Sequence, residues 1–140
     1  MALQAFTGFK FAYRLCGQPP THCRYVFKDT ETLSIGDLVN LESGTADLAA
    51  TNDSGMCGVA QQTKAGITAV SEIEVINDWD AVYAVYDAVA RYAGEKLDIA
   101  GATGAMTVAT DSNHDVIVVS NSSAVELTYV MIIEGEHFLV

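Results

Sequence analysis

The apolar runs of this chain are short, and turn residues stand densely between them; that pattern constrains its fold more than any other feature and points to a β-rich domain with few helices. Asp115-Val-Ile-Val-Val-Ser120 and Leu127-Thr-Tyr-Val-Met-Ile-Ile133 are rich in β-branched residues and too continuous for an exposed face, so both are expected at the buried centre of a sheet. Leu33-Ser-Ile35 and Leu38-Val-Asn-Leu41 flank Gly36-Asp37, which reads as a turn or bulge, and Glu42-Ser-Gly44 ends the second of them. Met56-Cys-Gly-Val-Ala60 and Ile73-Glu-Val-Ile-Asn77 are further strands, the latter with Ser71, Glu72 and Glu74 marking a partly wet face.

Residues 78–92 read two ways. Trp79, Val82, Tyr83, Tyr86, Val89 and Ala90 fall at helical spacing, with Gly94 as a C-terminal stop. Ala81-Val-Tyr-Ala-Val-Tyr86 also alternates as a strand, and the reading leans to a strand over 81–86 followed by a short helix or turn. Gly94-Glu-Lys-Leu-Asp98 repeats the character of Gly36-Asp-Leu-Val39, a glycine and an acid before an apolar strand, without amounting to a repeat. Ile99–Met106, rich in Ala, Gly and Thr, reads as a loop.

Charge divides the chain by position. Residues 1–30 carry Lys10, Arg14, Arg24 and Lys28 against Asp29, net +3; residues 31–140 carry three bases against seventeen acids, net −14, and the two sum to −11. The expected organisation is a basic N-terminal arm, 1–30, and an acidic β-rich body, 31–140. So few bases argue against nucleic-acid binding. No apolar run approaches the length that spans a bilayer, and Lys10 and Arg14 interrupt what would be the apolar core of a signal peptide, so neither a membrane span nor secretion by that route is expected. Cys16, Cys23 and Cys57 form no CxxC and read as buried free thiols made in a reducing cytoplasm.

Candidates for chemistry are weak. Gly101-Ala-Thr-Gly104-Ala lacks the Gly-Lys-Ser/Thr ending of a phosphate loop and reads as a surface loop. His22 beside Cys23, and His114 beside Asp115, supply the residue types of a nucleophile triad, but adjacent residues on a strand face opposite ways. His114, Asp115, His137, Glu134 and Glu136 show no metal-ligand spacing. The carboxylates read as scattered on turns and wet faces, serving solubility. No catalytic residue, cofactor or metal is expected.

Six of the chain's twelve aromatics, Phe6, Phe9, Phe11, Tyr13, Tyr25 and Phe27, lie in the first 27 residues among the four bases, interrupted by Gln18-Pro-Pro20. This segment is either an outer strand packing on its own domain or an extended arm whose aromatic and cationic side chains dock on another subunit.

The succession Phe6-Thr-Gly-Phe-Lys-Phe11, Tyr25-Val-Phe27, Leu33-Ser-Ile-Gly-Asp-Leu-Val39, Gly58-Val-Ala60, Asp80-Ala-Val-Tyr83, Gly94-Glu-Lys-Leu-Asp98 and Gly101-Ala-Thr-Gly104 with Thr107-Val108 resembles the small decoration, or cement, proteins of tailed-phage capsids. The resemblance spans nearly the whole chain and rests on turn and strand patterns. It implies a small barrel or β-tulip-like domain with at most one short helix, preceded by an extended N-terminal arm. It also implies homotrimers on the outer capsid surface of the virion, synthesised in the host bacterial cytoplasm, that clamp neighbouring major capsid subunits. The resemblance matches no specific lattice-contact residues; the basic, aromatic arm supplies the expected capsid contacts, Phe6, Phe9, Lys10, Phe11, Arg14 and Arg24, and Gly36, Asp37, Gly58 and Gly94 are the expected turns that shape the body. A tail, baseplate or fibre-associated module is the alternative.

Overall fold

The computed structural model describes residues 7–26, 32–51, 53, 55–65, 72–87, 89–110, 114–122 and 126–133, and among these the regular structure is all strand. In chain order the strands are β1 Phe9–Arg14, β2 His22–Val26, β3 Thr32–Leu33, β4 Leu38–Glu42, β5 Thr45–Leu48, β6 Met56–Ala60 and β7 Lys64–Ala65. They continue as β8 Glu72–Ile76, β9 Ala81–Asp87, β10 Lys96–Ala100, β11 Thr107–Thr110, β12 Val116–Ser120 and β13 Glu126–Ile132. A six-stranded sheet runs β1-β9-β13-β12-β10-β11, a five-stranded sheet runs β2-β8-β6-β4-β5, and β3 pairs with β7. Every pairing is antiparallel. The mainly-β expectation holds.

The main core lies between the two large sheets. Phe9, Tyr83, Val85, Leu97, Val116, Val118, Val130 and Ile132 face it from one side, and Leu38, Met56, Val59 and Ile76 from the other. Burying each of the larger side chains contributes about 1.5–3 kcal/mol. A second cluster, with Leu33, Val39, Cys57, Ile73 and Val75, uses the opposite face of the five-stranded sheet, because successive strand residues such as Leu38 and Val39 point opposite ways. That sheet is therefore apolar on both faces over much of its area, and β6, Met-Cys-Gly-Val-Ala, reads as a continuous apolar run for that reason.

The ambiguous 78–92 segment resolves as strand over Ala81–Asp87. A helix there would offer one apolar stripe, whereas β9 sits between β1 and β13 and is buried on both faces, which its Val and Tyr residues suit. Ile99 and Ala100 belong to β10, so the loop expected over 99–106 begins at Gly101. The paired strands β12 and β13 are central as expected, but only one of their faces is in the core. Ile117 and Met131, partners in register, turn half-exposed side chains the other way.

Gly58 shows why one residue type is needed at one place. Its φ of +143° lies in the region L side chains resist, and a Cβ there would collide with the Ile76 carbonyl. The register between β4 and β6 slips at this point.

Candidate functional site

The residues expected to dock on a partner have divergent surroundings. Phe6 and Phe27 lie outside the described residues. Phe9 is 2% exposed and belongs to the main core, opposite Val85, so it cannot serve as a surface anchor. Phe11 sits opposite Tyr83 and packs half-buried against the same core. Lys10, between them, points to the outer face of the six-stranded sheet and is exposed. On β2, Cys23 and Tyr25 turn inward while His22 and Arg24 turn outward; the Arg24 side chain is 58% exposed and lies 3.8 Å from Glu74. The described part of residues 1–30 is thus two edge strands, one on each sheet, and not an arm standing off the body.

Arg14 is engaged within the body. Its Nε donates to Asp80 Oδ1 at 2.8 Å, and an Nη lies 3.4 Å from Asp78 and donates to the Pro19 carbonyl at 3.3 Å. Asp80 further accepts from the Cys16 amide, and Asp78 from the Thr21 amide. The loop between β1 and β2 is thereby tied to the turn before β9. The Asp80 hydrogen bond, against the effect of burial, holds the Arg14 guanidinium above its ordinary pKa. Burial alone would push the Asp80 carboxyl up, but Arg14 and the Cys16 donors outweigh it and hold it below the usual carboxylate range.

The carboxylates do not all lie on wet faces. Asp37, Asp78, Asp80, Asp87, Asp98 and Asp115 are buried. Arg91 bonds Asp87 at 2.6 Å and Glu95 at 3.1 Å, with both members of the first pair nearly sealed from solvent. Burial works to lower the Arg91 pKa, and the bonds and charges of Asp87 and Glu95 overcome it. Asp115 instead accepts from neutral groups, the Thr51 hydroxyl at 2.6 Å and the Ile99 amide at 3.0 Å.

Asp37 explains the segment that looked like half of a phosphate loop. Its carboxylate accepts from the Gly104 amide at 2.9 Å, the Thr103 hydroxyl and the Ser34 amide at 2.9 Å. The donors that an anion-binding loop would offer a ligand are filled by the protein's own carboxylate, which staples the turn before β4 to the turn before β11. Beside it, Gly36 at φ +94° accepts from the Phe9 amide and donates to the Ala60 carbonyl, joining β1 to the end of β6. Gly94, at φ +90°, donates to the Val118 carbonyl.

The His and Cys candidates are not brought together. His22 Nδ1 meets Glu74 at 3.0 Å on the surface while Cys23 turns inward from β2. His114 occupies a left-handed turn and gives its amide to Asp98, while Asp115 points into the protein; His137, Glu134 and Glu136 lie outside the described residues. Of the three thiols expected to be buried only Cys57 is, for Cys16 is exposed beyond the end of β1 and Cys23 half-buried; burial pushes the Cys57 thiol up to about 12, which makes it inert as a nucleophile. Among the described residues no group of three or more His, Cys, Asp or Glu side chains converges to hold a metal ion.

Sequence reasoning missed the exposed apolar side chains at one end of β1, Leu15 at 55% and Trp79 at 52%, which the pairing of Leu15 with Asp80 brings close. Only the adjacency of β1 and β9 joins them, and no local spacing signals it. The Arg91 clamp was missed as well, although Asp87, Arg91 and Glu95 stand at intervals of four residues. Neither the known protein families nor the curated proteins contain a match to this chain.

Proposed function

We propose that this chain is a capsid decoration protein that binds the outer face of a tailed-phage head and stabilises the expanded shell by clamping neighbouring major capsid subunits, as a homotrimer and without catalysis or cofactor. The observation that carries the reading is the placement of the basic residues. Lys10 and Arg24 stand exposed on β1 and β2, the edges of the two sheets, while residues 31–140 carry a net −14. An acidic body of this kind repels other polyanions, and its cationic edges are the natural places for an acidic protein surface to meet it. Edge strands add a second means of attachment, since they offer backbone groups to a neighbouring chain.

The stabilising effect is a mass-action effect repeated over a lattice. A protein that binds only the assembled shell favours assembly, and many copies multiply a modest individual affinity. Copies of this chain relative to the major shell protein in purified particles test the reading. A ratio near one to one, or one to a small integer, is expected; complete absence from particles overturns it, and a handful of copies moves the chain to a tail, baseplate or fibre position.

A further inference from the structure

A groove of about 410 Å³ opens along the outer edge of β1, walled by Phe9, Phe11, Ile35, Ala60 and Gln61 with Lys10 at its side. Its backbone chemistry follows from the register. The Phe9 amide bonds the Gly36 carbonyl at 2.8 Å and therefore turns away from β9. In an antiparallel pair the direction alternates, so Lys10 bonds toward β9 and the amide and carbonyl of Phe11 turn outward again, into the groove. The register then slips across Ala12, pairing resumes at Tyr13 opposite Val82, and the Leu15 amide bonds the Asp80 carbonyl beyond the strand end. Pinned at Gly36 and bulged at Ala12, the edge offers one rung, Phe11, whose amide and carbonyl the alternation turns away from β9.

We propose that this groove takes one extended polypeptide segment, paired through its backbone to Phe11, with an aliphatic side chain against Ile35 and a carboxylate toward Lys10. A donor and an acceptor on the same residue at strand spacing match another strand's backbone better than any side chain. The walls are mostly apolar, and Ile35, 59% exposed at the lip, leaves apolar surface for a partner to cover. Lys10 is one of only seven bases in a chain of net charge −11, which sets the sign of the partner's charge at this spot. The bulge and the Gly36 pin limit pairing to a short segment and prevent open-ended sheet growth. The inference rests on the groove alone and holds whether or not the chain decorates a shell.

The test uses the isolated full chain, labelled with nitrogen-15, and a pool of capped pentapeptides that alternate Val, Ile or Leu with Thr, Asp or Glu. The pool is expected to shift the amides of Phe11, Ile35 and Gln61 saturably at millimolar concentration. Two N-methylated versions of the pool, blocked at odd or at even residues, separate strand pairing from greasy contact. One version is expected to bind about tenfold more weakly or worse, while the other binds like the parent. Ile35→Asp, at an exposed position that leaves the core intact, is expected to weaken binding by a similar factor. No saturable shift at these amides, equal binding by both blocked pools, or unchanged binding by Ile35→Asp overturns the proposal.

Discussion

β1 and β2 come from the same basic, aromatic stretch and both run along the edge of a sheet, yet they are used in opposite ways. β1 gives Phe9 to the core and Arg14 to an ion cluster with Asp78 and Asp80, whereas β2 only half-buries Cys23 and Tyr25 and leaves His22 and Arg24 outside. The difference comes from the strand each one meets. β9 is apolar along almost its whole length, so Phe9 and Phe11 align with Val85 and Tyr83 on a buried face. β8 alternates Glu72, Ile73, Glu74 and Val75, so half of β2 faces carboxylates and water. Composition therefore says little about the role of an edge strand until its partner strand is known.

The largest expected separation between the two edges is in stability. Phe9→Ala removes a side chain that is buried in the main core and is expected to cost about 3–5 kcal/mol of unfolding free energy. Val26→Ala, on the exposed side of β2, is expected to stay within about 0.5 kcal/mol. Urea unfolding of both variants checks this, and comparable midpoints would mean that β1 is no more integrated than β2.

Next in size is the pH dependence that the Arg14 cluster confers on the β1 edge. Because the folded state holds the Asp80 carboxyl below its ordinary value, its contribution is fully present above the unfolded pKa of about 3.9 and fades as pH falls through the folded value. Asp80→Asn is therefore expected to destabilise most at neutral pH, with the gap to the parent chain closing in strong acid. Chemical unfolding at neutral pH and in descending acid steps measures that gap. A gap that stays constant would show that Asp80 acts through packing or neutral hydrogen bonds and not through its charge.

The strands were legible in the sequence where local pattern and burial agree, as in Met56–Ala60, Glu72–Ile76 and Val116–Ser120. β5 and β11 were not, because Thr45-Ala-Asp-Leu48 and Thr107-Val-Ala-Thr110 are short and mixed and are strands by virtue of their neighbours β4 and β10. The fate of the acids was hidden for a similar reason. Asp37 reads as a turn residue, but that it is fully buried depends on Thr103 and Gly104, sixty-six and sixty-seven residues away. Arg14 looked like a surface cation for want of any local sign of Asp78 and Asp80. The candidate surface was legible only in part: the basic segment stood out, but which of its bases stay outside is decided by pairing.

The smallest expected effect on stability, and the one that bears most on function, belongs to the exposed cations of β1 and β2, Lys10 and Arg24. Arg24 lies 3.8 Å from Glu74 with most of its side chain in water, and exposed pairs of this kind contribute roughly 0–1 kcal/mol. Reversing Lys10 and Arg24 together to Glu is therefore expected to leave the unfolding midpoint nearly unchanged while weakening attachment to expanded shells and reducing its salt sensitivity. Binding of purified chain to shells stripped of it, read at two ionic strengths, supplies the measurement. The single reversals then decide between the edges. Loss with Arg24→Glu alone makes β2 the docking edge and β1 chiefly a structural one, loss with Lys10→Glu alone does the reverse, and undiminished binding by the double variant removes both edges from the contact.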